Sequence, residues 1–200
     1  MNVLSFRLSA CYCCKMAFDF ERRSRRTIRL KDYNYSLPGK YFITICTLNR
    51  ECLLGEIRDI KMIVSPAGAI VRHEWLHTSI VREEIELDTF VIMPNHLHGI
   101  ISIRSGRGDP VDRPAYRSIT NKPFQRNEPV LKSNTIGAIV GQFKSNATKR
   151  IRESSCPGFY WQRNYYEHII RNGSELQQIK KYILSNPENW IEDQDNPLNF

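Results

Sequence analysis

Two histidine clusters and a scatter of tyrosines are the residues here whose types and spacing suit chemistry. His73-Glu74-Trp75-Leu76-His77 has the form H-E-x-x-H. On a helix, residues four apart lie one above the other, so both imidazoles can hold zinc with Glu74 as the base of a metalloprotease. The flanking pattern works against that. Ala67, Ile70, Val71 and Trp75 form an apolar stripe, and His73 and His77 fall more than about 90° from its centre. That leaves them on a rim or open face with no enclosed cavity and no evident third ligand, which reads as a solvated helix surface. His96-Leu97-His98 offers another geometry. In a strand, residues two apart point the same way, so both rings project together while Leu97 enters the core. Such a pair can grip one divalent cation and leave its other positions open, as a catalytic metal requires. Two surface histidines that merely line up would have the same spacing. Nine tyrosines are present, and position alone singles out none of them.

These residues need elements to hold them. Leu37-Pro38-Gly39-Lys40 is a turn signal, and Tyr41 to Leu48, rich in β-branched and aromatic residues, predicts a strand buried on both faces. Ser65-Pro66 opens a helix as N-cap and first helical residue. Leu87 to Met93 and Leu97 to Ile103 predict two strands joined at Pro94-Asn95. Residues 104–134 hold four prolines and read as a flexible insertion. Helical period returns with Ile136, Ile139, Val140, Phe143, Ala147 and Ile151, and Lys144, Lys149, Arg150 and Arg152 decorate the remaining surface. Trp161 to Ile170 predicts a fourth strand. A capping box, Ser174-x-x-Gln177, starts a last helix with Leu176, Ile179 and Ile183 inward and Pro187 at its close. The order β-α-β-β-α-β-α predicts one α+β domain, a mostly antiparallel, ferredoxin-like sheet with helices on one face.

Composition bounds the partners. With 41% apolar and 25% charged residues in 200, the chain fits one globular domain, and no apolar run is long enough to span a bilayer. There are 29 Lys and Arg against 21 Asp and Glu, a net charge of +8. The excess is clustered: residues 1–40 carry nine bases and three acids, while residues 187–200 carry four acids and no base. A basic domain with an arm such as Arg22, Arg23, Arg25, Arg26 and Arg29 suits a polyanion, as does the helical patch of Lys144, Lys149, Arg150 and Arg152. Trp161, Tyr165 and Tyr166 could stack on unpaired bases. Six cysteines form no CxxC pair, and free thiols in a reducing cytoplasm are the expectation. Residues 1–15 read as a dispensable leader, with Met16 as an alternative start, and residues 191–200 as an acidic tail.

Several of these segments resemble one family. Met93-Pro94-Asn95-His96-Leu97-His98 is similar to the His-hydrophobic-His (HUH) motif of single-tyrosine HUH transposases, particularly the REP-associated tyrosine transposases. Gly141-Gln142-Phe143-Lys144-Ser145, the stretch Trp161 to Arg171, and Lys181-Tyr182-Ile183-Leu184-Ser185-Asn186-Pro187 continue the resemblance in order, over roughly residues 17–190. The resemblance implies a ferredoxin-like nuclease, residues 16–190, that cuts and rejoins single-stranded or hairpin DNA. It implies a divalent ion, Mg²⁺ or Mn²⁺, on His96 and His98 with Asn186 completing the site. It implies Tyr182 as the nucleophile that forms a 5′-phosphotyrosine link. On the last helix, Tyr182 and Asn186 fall about 40° apart, so one site can use both. A nucleic-acid-binding module without catalysis is the other reading. No membrane partner is expected, and monomer and homodimer are equally compatible with the sequence.

Overall fold

The computed structural model describes residues 37–104, 135–193 and 195–199. The leader, the arm of Arg22, Arg23, Arg25, Arg26 and Arg29, and nearly all of the 104–134 insertion lie outside the described residues. Four strands form one antiparallel sheet: β1 (Gly39–Cys46), β4 (Ile85–Ile92), β5 (His96–Ile103) and β6 (Tyr166–Ile170), in the order β4-β5-β1-β6. With α1 (Pro66–Val81) and α2 (Ile136–Ser154) between them, this is the α+β, ferredoxin-like arrangement expected. The two strands that carry chemistry lie in the middle. β1 pairs with β5 on one side and β6 on the other, and Thr44 stands opposite His98, Cys46 opposite His96.

Alternation divides the sheet into two unlike faces. Tyr41, Ile43, Ile45, Leu97, Ile101 and Ile103 point to the main core, where α1 and α2 cover them. The α2 stripe is buried in full at Ile136, Ile139, Val140, Phe143, Ala147 and Ile151. Gly99 belongs to this face for a steric reason: a Cβ there would stand 2.4 Å from the Trp75 ring. The indole of α1 therefore lies against bare backbone.

The third helix does not join them. α3 (Gly173–Ser185) packs on the opposite face, where Ile183, Leu176 and Ile179 meet Phe42, Ile100 and Ile170. Helices on one face thus describes two of the three. Ile100 and Phe42, interspersed with His98 and Thr44, need an apolar cover that α1 and α2 cannot supply. The N-cap of α3 is Asn172, whose Oδ1 accepts from Glu175 N at 2.9 Å, rather than Ser174. Glu175 Oε2 accepts from Arg171 N, the residue before the N-cap, so the helix start lies two residues earlier than expected and its acidic residue reaches back one residue beyond a capping box.

Two further differences have local causes. Trp161 forms only a bridge to Thr47, and the strand begins at Tyr166. The ammonium of Lys144 donates to the carbonyls of Gln162, Arg163 and Asn164, which holds that segment as a loop. A small hairpin, β2 (Gly55–Arg58) with β3 (Lys61–Val64), had no sequence signal. Its turn residues Asp59 and Ile60 both have positive φ, 47° and 59°, without the Asn-Gly that usually marks such a turn.

Candidate active site

The site is built on the α3 face of the central strands. His96 and His98 leave β5 on the same side, as their spacing predicts, and both are almost wholly buried. Their Nε2 atoms stand 3.0 Å apart. Each Nδ1 is engaged on its far side: Asn95 Oδ1 lies 2.8 Å from His96 Nδ1, and Thr44 Oγ1 lies 2.8 Å from His98 Nδ1. Asn95 is itself fixed, since its Nδ2 donates to the carbonyls of Arg50 and Asp195. Its oxygen therefore faces the ring as an acceptor, which puts the proton on His96 Nδ1 and the lone pair on Nε2. A Thr44 hydroxyl that accepts from His98 Nδ1 does the same for the second ring. Burial drives both imidazoles to the neutral form: His98 falls to about 3, and His96 well below its usual value with help from the neighbouring His98 and Arg50 charges. Neutral imidazole is the form that binds metal.

α3 and the segment after it close the site from above. Tyr182 directs its hydroxyl to 3.3 Å from His98 Nε2, with its ring edge-on to Phe42. Burial pushes the phenol above its usual value and the Asp193 charge adds to this, while a hydrogen bond from Asn186 lowers it and the Asp195 charge raises it. Asn186, one turn beyond Tyr182, is buried, and its Oδ1 has no hydrogen-bond partner. Beyond α3, Trp190 leans on the His96 ring, and Asp193 brings a carboxylate within 4.8 Å of both imidazole donors. Asp195 is tied to Arg50 at 3.0 Å, and so pins this segment to the turn after β1.

Such a donor set fits a divalent ion. Two ligands on neighbouring corners of an octahedron, each at ~2.1 Å, are about 3.0 Å apart; tetrahedral corners would be nearer ~3.4 Å. Two imidazoles, a carboxylate and an orphaned amide oxygen make a mixed nitrogen and oxygen set suited to a catalytic cation. Among the described residues, His96, His98 and Asp193 are the one trio of His, Cys, Asp or Glu that converges in this way. Beside them opens a cleft of about 590 Å³, bordered by Phe42, His98 and Tyr182 on one side and Gln162, Tyr165 and Tyr166 on the other.

The remaining sequence expectations divide. His73 and His77 stack against each other on α1, but Glu74 is buried and pairs with Arg150 of α2, while His73 Nδ1 approaches the same carboxylate at 3.1 Å. Burial opposes the Glu74 charge, and the Arg150 and His73 contacts outweigh it, so its pKa lies below the ordinary carboxylate value. The H-E-x-x-H segment holds an inter-helix tie at Glu74, which corrects the reading of a wholly solvated helix surface and shows Arg150 paired with an acid. Lys144, Lys149 and Arg152 remain together, along a second cleft. Trp161 is a core residue and Tyr165 packs on the core, whereas Tyr166 is exposed. Asp193, Thr44 and Asn95 escaped the sequence reading. Asn95 looked like a turn residue, Thr44 like a strand residue, and Asp193 like part of an acidic tail.

The sheet order and the His-Tyr cluster together define a ferredoxin-like α+β domain with a built polar site on its less covered face. A solved REP-associated tyrosine transposase, described as bound to a REP hairpin, shares this fold with a TM-score of 0.53. The likeness covers 81% of this chain and 74% of that one at 18% identity. No protein-family model matches the chain. An uncharacterized protein of Haemophilus influenzae is 44% identical over 170 residues, which span 85% of this chain and 92% of that protein. This chain belongs to that protein's family.

Proposed function

We propose that this protein is a metal-dependent transposase-like endonuclease that cuts and rejoins single-stranded, hairpin-bearing DNA through Tyr182. The reading is carried by one observation: the Tyr182 hydroxyl lies 3.3 Å from His98 Nε2, at the edge of the donor group of His96, His98 and Asp193. The sequence resemblance and the shared fold support it.

His96, His98, Asp193 and the Asn186 amide oxygen would hold Mg²⁺ or Mn²⁺. A cation bound there supplies charge neutralisation at the oxygens of the scissile phosphate. Tyr182 Oη attacks phosphorus, and the bond to the 3′ oxygen breaks. The phenol loses its proton and the departing 3′ oxygen gains one, leaving a 5′-phosphotyrosine and a free 3′ hydroxyl. One phosphodiester-type bond replaces another, so rejoining needs no ATP. The Asn186 N–H that reaches the phenol oxygen favours the charge that grows there. Thr44 and Asn95 keep both imidazoles turned inward. The basic arm around Arg22 to Arg29 supplies phosphate contacts in this reading.

The test is a hairpin-ended single-stranded oligonucleotide incubated with protein and Mn²⁺, then resolved on a denaturing gel. A protein–DNA adduct that maps to Tyr182, and is absent in Tyr182→Phe, is the expected result. Tyr165→Phe and Tyr166→Phe should still form it. Hairpin binding with no adduct under any divalent metal would leave a binding module and overturn the nuclease reading.

A further inference from the structure

A second cleft, of about 600 Å³, lies along α2 on the other side of the Gln162 loop. Its cations are Lys144, Lys149, Arg152 and Arg163, against a single acid, Glu153. Two of these are committed to structure: Lys144 to the loop carbonyls, and Arg152, whose Nε donates to Phe159 O. Lys149 and Arg163 are exposed. At its edge stands Tyr160, 53% exposed, with the Arg152 guanidinium 4.0 Å from its ring centre. An exposed aromatic ring backed by a guanidinium, among cations, is the combination that holds an unpaired base and its phosphates. Gln162 borders this cleft and the one containing Tyr182, so the two are neighbours across one residue.

We propose that the second cleft is a binding track for the single strand flanking the scissile phosphate. Lys149 and Arg163 contact its phosphates, a base stacks on Tyr160, and the strand passes Gln162 into the Tyr182 cleft. Lys144 is a positioning residue: by gathering three carbonyls it shapes the loop over which the strand runs. This inference rests on the proposed function for its substrate, and adds a site that the phosphotyrosine chemistry itself does not require.

The experiment measures binding apart from cleavage. Fluorescein-labelled oligo-dT of 16 nucleotides, and a 4-nucleotide control, are titrated by anisotropy against full-length Tyr182→Phe protein at several salt concentrations. Adding Lys149→Ala and Arg163→Ala, both at exposed positions, should flatten the slope of log affinity against log salt by about 1.4, at ~0.7 per single-strand phosphate contact. Tyr160→Ala should weaken binding roughly 5- to 150-fold, the loss of one stacked base, while Tyr160→Phe keeps it. The 4-nucleotide control, too short to occupy both clefts, should respond less to all three changes. An unchanged salt slope in the double variant, or equal affinity for Tyr160→Ala and Tyr160→Phe, would overturn the track. The adduct assay decides the nuclease reading separately, since the double variant retains Tyr182, His96 and His98 when tested in the wild-type background.

Discussion

Thr44→Val isolates the role of a single hydroxyl in the site. Valine keeps the size, β-branching and strand preference of threonine, so β1 and its pairing with β5 should persist. The change removes the oxygen 2.8 Å from His98 Nδ1 and little else. Left without a partner in a buried setting, the ring nitrogen costs about 1–3 kcal/mol whenever it must carry a proton there. The metal-binding tautomer requires that proton, whereas the metal-free ring can move it to Nε2 and share it with His96 at 3.0 Å. The cost therefore falls on the bound state, and Mn²⁺ affinity should drop roughly 10- to 100-fold, as for other changes to groups behind a metal-binding histidine. Mn²⁺ titration followed by the electron paramagnetic resonance signal of the free ion reads this directly. Thr44→Ser, which restores the oxygen, should recover most of the affinity. In cleavage assays the Mn²⁺ concentration for half-maximal rate should rise, with the rate at saturation changing much less. Thr44→Val protein that binds Mn²⁺ within twofold of wild type would show that the hydroxyl does not orient His98.

The other expectations concern the ligands and the frame around them. Asp193→Asn should weaken Mn²⁺ binding more than Asn186→Ala, because it removes an anionic donor rather than a neutral one; calorimetric titration of both variants gives the order. Gly99→Ala should destabilise the fold by about 1–3 kcal/mol, since Trp75 must retreat from the sheet, and a lowered urea midpoint with unchanged slope is the measurement. Asp88 ties β4 to α3 through Lys180 at 2.8 Å, and although burial works against its charge, the Lys180 and Thr89 hydrogen bonds bring its pKa below the usual carboxylate value. A depressed carboxylate stabilises the fold above its unfolded pKa and loses that contribution as pH falls through the folded one. Asp88→Asn should thus lower stability by no more than about 1 kcal/mol at pH 7 and converge with wild type in acid, by thermal melts at both pH values.

Strand β5 was legible almost residue by residue, because alternation over His96 to Ile103 fixes both the core positions and the side to which the histidines turn. The α2 stripe was equally plain, since six buried residues repeat at helical spacing. Periodicity in α3 marked an apolar stripe but could not say which sheet face received it; that depends on Phe42 and Ile100, far away in sequence. Asp193 had no local signature, because it follows the helix in a segment without regular period, and long-range contacts such as Arg50–Asp195, Asn95–Asp195 and Trp190 on His96 bring that segment back. The Asp59-Ile60 turn defeats turn chemistry outright, with a β-branched residue in the left-handed region. Arg150 shows the limit of counting charges: its partner, Glu74, is 76 residues away.

The site is divided between layers of unequal tenacity. Its histidines belong to β5 and their partner Thr44 to β1, the two strands at the middle of the sheet, each hydrogen-bonded on both sides. Tyr182 comes from the helix on the thinner face and Asn186 from its C-cap, held by a small apolar cluster with Ile183 as the helix's one buried residue and by the Asp88–Lys180 pair, while Asp193 comes from the segment beyond. Local opening of proteins begins where buried apolar contact is sparsest. Detaching α3 withdraws the phenol and the amide together, while the imidazole pair stays on an intact sheet and the Asp195 contacts to Arg50 and Asn95 hold the segment of Asp193 beside it. Under the proposed mechanism, undocking this layer would separate nucleophile from metal site in one cooperative step and leave the sheet folded.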